Sequence, residues 1–134
     1  MGSLNAFLNP VKLENKEVIV SNRFMEDGKP VPFMIRPITQ KENELLIKKY
    51  TKKDSKKGLE TFNRTGYVQA LTASAVVFPN LADAKLQEVY GLGESEALIS
   101  MLYVGEYAVL AQEVQALSGL DVDINEDIEE VKNA

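Results

Sequence analysis

The sequence predicts an α+β fold, in which an N-terminal β-hairpin is followed by a mainly α-helical domain of four to five helices. Three observations favour this class: alternating apolar residues around an Asp-Gly turn, a helix-capping motif directly after them, and apolar residues at helical spacing between glycine and proline breaks. A length of 134 residues suits one domain. We expect a flexible arm over 1–16, a single α+β domain over 17–119 and an acidic tail over 120–134.

The hairpin is predicted over 17–38. Val18, Val20 and Phe24 alternate with more polar residues before the turn signal Asp27-Gly28, and the return strand carries its apolar side chains on one face. Those side chains are Val31, Phe33 and Ile35. Proline cannot donate a hydrogen bond to a sheet, so Pro30, Pro32 and Pro37 predict that the return strand is an edge or is only partly paired.

The helices are predicted over 39–119, and the first one begins at Thr39. Thr39-Gln-Lys-Glu42 has the form of a capping box, in which each end residue bonds to the backbone amide of the other. We expect this helix to bury Leu45, Leu46 and Tyr50 and to continue through a run of lysines. The run comprises Lys48, Lys49, Lys52, Lys53, Lys56 and Lys57. On a helix these lysines form two self-repelling rows, which an acidic surface would stabilise.

Breaks divide the remaining helical pattern. A helix over 65–78 should end at Phe78, because the following proline disfavours helical backbone at that residue. Asn80 is expected to cap a short helix that Gly91 and Gly93 end. A further helix is predicted over 94–104, with Gly105 as a hinge or break, and the last helix ends at a left-handed glycine, Gly119.

The composition excludes several classes of site. The chain contains no cysteine and no histidine, which removes thiolate and imidazole metal ligands and the usual proton-transfer group at neutral pH. Asp121, Asp123 and Asn125 open like a calcium loop, but Glu126 stands where the turn glycine is needed and Lys132 where the bidentate glutamate is needed. We therefore expect no enzyme, no metal and no cofactor.

Charge is divided between the two halves of the chain. Residues 1–64 carry 13 basic and 8 acidic side chains, a net charge of +5, whereas residues 65–134 carry 2 and 12, a net charge of −10. The positive half includes a candidate electrostatic contact surface of Lys49, Lys52, Lys53, Lys56 and Lys57. With an acidic chain and only three arginines, this surface fits an acidic protein partner or plain solvation better than nucleic acid.

An ordered set of short motifs resembles one known family. The motifs are Val77-Phe-Pro-Asn-Leu81, Asp83, Leu86-Gln87, Tyr90-Gly91, Met101-Leu102-x-x-Gly105-Glu106-Tyr107-x-x-Leu110, Ser3-Leu-Asn-Ala-Phe-Leu8 and Phe33-x-Ile-Arg-Pro-Ile-Thr-x-x-Glu42. Together they cover nearly the whole chain, and they resemble the XkdN-like phage tail assembly chaperones of contractile-tailed phages and prophages. The resemblance implies a protein that assists virion assembly by binding.

The resemblance also implies partners. Such chaperones are thought to coat the tape measure protein and bring tail tube subunits to it in the host bacterial cytoplasm, and to be absent from the mature virion. The tape measure exposes apolar helix faces, which an adaptable groove would cover. The candidate lining is Met101, Leu102, Tyr103, Tyr107, Leu110 and Val114, of which at least half are expected in the core instead.

Two further expectations and two rival functions complete the interpretation. The opposite charges of the two halves predict a homo-oligomer. The family often makes a longer product by ribosomal frameshifting, and Lys132-Asn133 is compatible with a slippery codon run. The first rival is a structural phage tail or neck protein, which would remain in the virion. The second is a small nucleic-acid-binding regulator, which would bind DNA with a steep salt dependence.

Overall fold

The N-terminal hairpin forms as the apolar alternation predicts. The computed structural model describes residues 2–120, where β1 (Lys16–Val18) pairs antiparallel with β4 (Phe33–Ile35). The tip is closed by β2 (Met25–Glu26) and β3 (Lys29–Pro30) around Asp27-Gly28, both of which have positive φ angles of 52° and 76°. Left-handed backbone at both central residues is typical of a tight hairpin turn. The predicted hairpin and its turn are confirmed.

The return strand was predicted to be an edge or only partly paired. The edge alternative is wrong because the strand is central in its sheet, whereas partial pairing is what the structure has, since only Lys29–Pro30 and Phe33–Ile35 lie on strands. The sheet order is β1-β4-β7, and the third strand, β7 (Val76–Phe78), pairs antiparallel with β4. The prolines do not interfere because Pro32 and Pro37 flank β4 and lie outside it. The irregular register between Met34 and Ile35 marks the place where the pairing with β7 shifts.

Within residues 2–120, six helices accompany these strands. α1 (Asn5–Leu8) is one exposed turn in the predicted arm, and five helices follow the hairpin, as the α+β prediction requires. They are α2 (Gln40–Lys49), α3 (Arg64–Ala75), α4 (Ala84–Tyr90), α5 (Glu94–Met101) and α6 (Val104–Leu117). A two-stranded sheet of β5 (Thr51–Lys53) and β6 (Glu60–Phe62) lies between α2 and α3.

Several predicted helix ends are confirmed, and others are displaced. The Thr39–Glu42 capping box begins α2, Gly91 ends α4, and Gly119 is left-handed after α6. In contrast, Asp83 caps α4 in place of the predicted Asn80, because its side chain accepts hydrogen bonds from two amides of the first turn. Gly105 lies inside the first turn of α6, since the break between α5 and α6 falls at residues 102–103.

The core lies where β1 and β4 meet α3, α5 and α6. Its fully buried members include Ile35, Leu71, Leu98, Leu110 and Val114. The outer helices contribute less: Leu45 on α2, which was predicted to be buried, is 58% exposed, and Val89 on α4 is 73% exposed. On these two helices the apolar stripe is narrower than the sequence pattern suggests.

Candidate partner-binding surface

An apolar groove opens between the N-terminal hairpin, the end of β7 and α4. It has a volume of about 230 Å³. Every lining residue is apolar or aromatic: Phe24, Val31, Pro32, Phe33, Phe78, Pro79, Leu86, Tyr90 and Met101. Pockets for drug-sized ligands are typically about 300–1,000 Å³ and include polar groups that orient the ligand. The groove is therefore better matched to apolar side chains of a protein partner.

The local chain conformation explains how these residues meet. The ring of Phe24 meets that of Phe33 edge-on, with centroids 5.7 Å apart at 66°, and Phe33 itself is only 3% exposed. On the opposite wall, Phe78 ends β7 before a cis peptide bond to Pro79, and its side chain is 53% exposed. The groove thus has a buried floor and an accessible aromatic wall.

An ion pair joins the hairpin to the start of α6 beside the groove. The Arg23 Nε donates to Glu106 at 2.8 Å, and an Arg23 Nη donates to the carbonyl of Met101 at 3.0 Å. The guanidinium carbon lies 5.0 Å from the ring centroid of Phe24 and 4.2 Å from that of Tyr103, within cation–π range. Hydrogen bonding to Arg23 lowers the pKa of Glu106 to about 2, with smaller contributions from Ser21 and the Tyr103 amide.

The six predicted lining residues divide between surface and core. Met101 lines the groove but is itself a core residue, only 6% exposed. Tyr103, which is 68% exposed, adjoins Phe24 through the guanidinium of Arg23. Tyr107 is half-buried in a separate shallow depression with Val68, and burial raises its pKa. The remaining three, Leu102, Leu110 and Val114, are buried in the core.

The sequence pattern missed the groove because it placed Phe78 at the end of a helix. In the structure α3 ends at Ala75 and the following residues extend the sheet. The amide of Arg36, directly after β4, donates to the carbonyl of Ala75 at 2.9 Å. A longer helix would leave this carbonyl without a donor, because the residue four positions on is Pro79, which has no amide hydrogen. The sequence feature that could have indicated this strand is the β-branched pair Val76-Val77 directly before Phe78-Pro79.

The lysine run does not continue the helix, so that prediction is also wrong. α2 ends at Lys49, Lys52 and Lys53 lie on β5, and Lys56 and Lys57 lie in the turn to β6. Asp54 organises this turn, because its side chain accepts from the amide of Lys56 at 2.9 Å and its carbonyl accepts from left-handed Gly58 at 2.7 Å. A strand also sends neighbouring lysines to opposite faces, which reduces the repulsion that a helix would impose.

Other classes of site receive no support from the described part of the chain. Within residues 2–120, no group of three or more His, Cys, Asp or Glu side chains is placed to hold a metal ion. In the same range, no helix has both the length and the apolar character needed to span a membrane. The calcium-like residues and Lys132-Asn133 lie outside the described residues.

Two relatives of the chain are proteins of Bacillus subtilis strain 168. This chain is 29% identical over 126 residues to the uncharacterized protein YqbN of Bacillus subtilis strain 168, and the match covers 90% of this chain and 84% of YqbN. It is 26% identical over 129 residues to the phage-like element PBSX protein XkdN of the same strain, covering 92% and 87%. The crystal structure of YqbN has the same fold, with a TM-score of 0.75 and 23% identity over 89% of this chain and 98% of that one.

A family model gives the assignment. The model of the phage XkdN-like tail assembly chaperone protein matches residues 4–132, nearly the full chain. This match confirms the resemblance carried by the sequence motifs. The chain belongs to the XkdN-like family of phage tail assembly chaperones.

Proposed function

We propose that this chaperone binds the tape measure protein of its own phage through the apolar groove and helps to recruit tail tube subunits to it. The observation that carries the proposal is the predominantly apolar lining of an accessible groove in a member of a tail assembly chaperone family. A long helical protein with apolar faces aggregates unless those faces are covered, and a groove of this kind accepts side chains from one face of a helix.

The accessible residues define the contact surface. Phe78 and Tyr103 expose most of their surface, whereas Met101 lines the groove as a buried residue that is only 6% exposed. The predicted contributions of Leu102, Leu110 and Val114 are indirect, because their burial lets them act only by supporting α6 and the groove. Tyr107 would belong to a second contact on the face that carries Val68.

The test is co-expression with the tape measure protein encoded by the same phage, scored by its solubility and by co-elution with the chaperone. Phe78→Asp places a charge on the exposed groove wall, and Leu92→Asp is the matched control. Leu92 is 85% exposed and does not line the groove. We expect wild type and the control to keep the tape measure soluble, and Phe78→Asp to return it to the pellet. Both variants should keep the wild-type circular dichroism spectrum.

Two results would count against the proposal. A tape measure that stays insoluble with the wild-type chaperone would argue against binding. Full solubility with a folded Phe78→Asp variant would argue against the groove as the contact surface. Adding purified tail tube protein to the soluble complex tests recruitment, and light scattering of the chaperone alone tests the expected homo-oligomer.

The remaining parts of the proposal concern when and where the chaperone acts. We expect it in the host cytoplasm during assembly and not in the finished virion. Mass spectrometry of purified virions distinguishes this role from that of a structural tail or neck protein. A longer form, made when the ribosome changes reading frame near Lys132-Asn133, would appear as a second, larger product of the same gene during phage production.

A further inference from the structure

A second surface of the chain combines positive charge with exposed apolar side chains. It is formed by Lys48, Lys49, Lys52, Lys53, Lys56 and Lys57, at the end of α2 and on the β5–β6 hairpin. Residues 48–62 contain these six lysines and only two acidic residues, Asp54 and Glu60, for a net charge of +4. We call this region the basic surface.

Little within the described residues neutralises the basic surface. The ion pairs found in residues 2–120 join Lys16 to Glu113, Arg23 to Glu106 and Arg36 to Glu42, and none includes a lysine of the basic surface. Glu60 lies directly across the β5–β6 ladder from Lys53, and Asp54 directs its carboxylate to backbone amides of the turn.

Apolar side chains lie next to these charges. Leu45 and Ile47 of α2 are 58% and 39% exposed, and Leu59 in the hairpin is 62% exposed. A partner that matches this surface needs both negative charge and apolar side chains within one short segment. Residues 121–134 have this composition, with six acidic residues, one lysine and four interleaved aliphatic residues, for a net charge of −5. The aliphatic residues are Val122, Ile124, Ile128 and Val131.

The described chain ends close to one end of α2. The amide of Ile38, just before α2, donates to Ser118 Oγ at 2.9 Å, and Leu120 lines a shallow depression with Thr39 and Gln40. α2 has ten residues and is therefore about 15 Å long. The fourteen residues that follow Leu120 can span up to about 46 Å when extended, so they reach the basic surface at the far end of α2.

We propose that the C-terminal segment, residues 121–134, binds the basic surface of the same chain. Opposite charges, matching apolar residues and sufficient reach support this occupant. Attachment at Leu120 raises the effective concentration of the segment to roughly the millimolar range, so modest contacts are enough to keep it bound. This inference does not depend on the apolar groove, which different residues form.

The test uses the full chain with one spin label near its C-terminus. The chain has no cysteine, so Ala134→Cys provides a unique attachment site. Paramagnetic broadening of backbone amides is then measured by nuclear magnetic resonance. We expect residues 45–57 to lose most of their intensity at about 0.1 M salt and to recover it at about 1 M, where the screening length falls from about 10 to about 3 Å.

Two controls separate the possible outcomes. Replacing Asp121, Asp123, Glu126 and Asp127 by their amides in the labelled chain should abolish the broadening while leaving the fold intact. A second sample mixes spin-labelled protein of natural isotope abundance with isotope-enriched protein that carries no spin label, so that it reports only contacts between chains. Broadening of residues 45–57 in the mixed sample comparable to that in the labelled chain would show that the segment binds a second copy and would overturn the proposal. Unbroadened amides in residues 45–57 of the singly labelled chain would overturn it as well.

Discussion

Gly66 in α3 offers a direct test of the packing between α2 and α3. A Cβ atom at Gly66 would lie 2.8 Å from two ring carbons of Tyr50 and 2.6 Å from the side-chain nitrogen of Asn63, closer than atoms pack without movement. Asn63 caps α3 by accepting a hydrogen bond from the amide of Gly66 at 3.0 Å. Gly66→Ala would therefore disturb both the cap and the aromatic contact.

The surroundings of Tyr50 limit how easily it can move. Its amide donates to the carbonyl of Leu46 at 3.0 Å, and its carbonyl accepts from the amide of Asn63 at 2.8 Å, so its ring has to rotate while its backbone stays in place. Overpacking of this kind costs about 1–3 kcal/mol, and a weakened cap adds about 0.5–2 kcal/mol. The helix propensity of alanine returns at most about 1 kcal/mol. We expect Gly66→Ala to lower the free energy of unfolding by about 0.5–4 kcal/mol, the sum of these three contributions.

Gly105 in α6 is the matched control. A Cβ there would meet no atom within 4 Å, so Gly105→Ala should raise the free energy of unfolding by about 0.5–1 kcal/mol through helix propensity alone. The assay is urea denaturation of both variants followed by circular dichroism. If Gly66→Ala is as stable as Gly105→Ala, the ring of Tyr50 relaxes without cost, and our account of the α2–α3 contact is refuted.

Two further predictions concern the core and the response to acid. Leu110→Ala should lower the free energy of unfolding by about 2–5 kcal/mol, because Leu110 is fully buried. The control Val109→Ala changes a position that is 42% exposed and should lower it by less than about 1 kcal/mol. Equal losses of stability in urea denaturation would contradict the placement of α6. Hydrogen bonding to Arg36 lowers the pKa of Glu42 from 4.5 to about 2, so the stability it contributes is present above pH 4.5 and is lost as the pH falls towards 2. Because the side chains of Arg36 and Glu42 are both about one third exposed, we expect their ion pair to contribute about 1 kcal/mol to the free energy of unfolding. Glu42→Gln should remove this contribution at neutral pH, and the control Glu44→Gln should not. Equal loss of stability on acidification in the two variants would contradict this role of Glu42.

The family assignment and the fold class were accessible from the sequence, whereas the groove was not. The motifs around Phe78, Tyr90 and Tyr107 pointed to the chaperone family, and the family match confirmed it. The same stretches did not show that Phe24 from the hairpin and Phe78 from β7 line one groove, because no local pattern links residues 54 positions apart. For the same reason, helical spacing placed Leu110 on the apolar face of a helix without showing whether that face lies in the core or on the surface.

Interactions within a few residues determined what the sequence by itself could predict. The Asp27-Gly28 turn, the Thr39–Glu42 capping box and the left-handed glycine after α6 each satisfy their backbone groups locally, so their positions follow from the residues present. Only the tertiary structure decided that Val76–Phe78 is a strand, because its hydrogen-bond partner β4 lies about 40 residues earlier in the chain. It also decided which apolar side chains are covered, since burial depends on the elements that pack against a helix as well as on the helix itself.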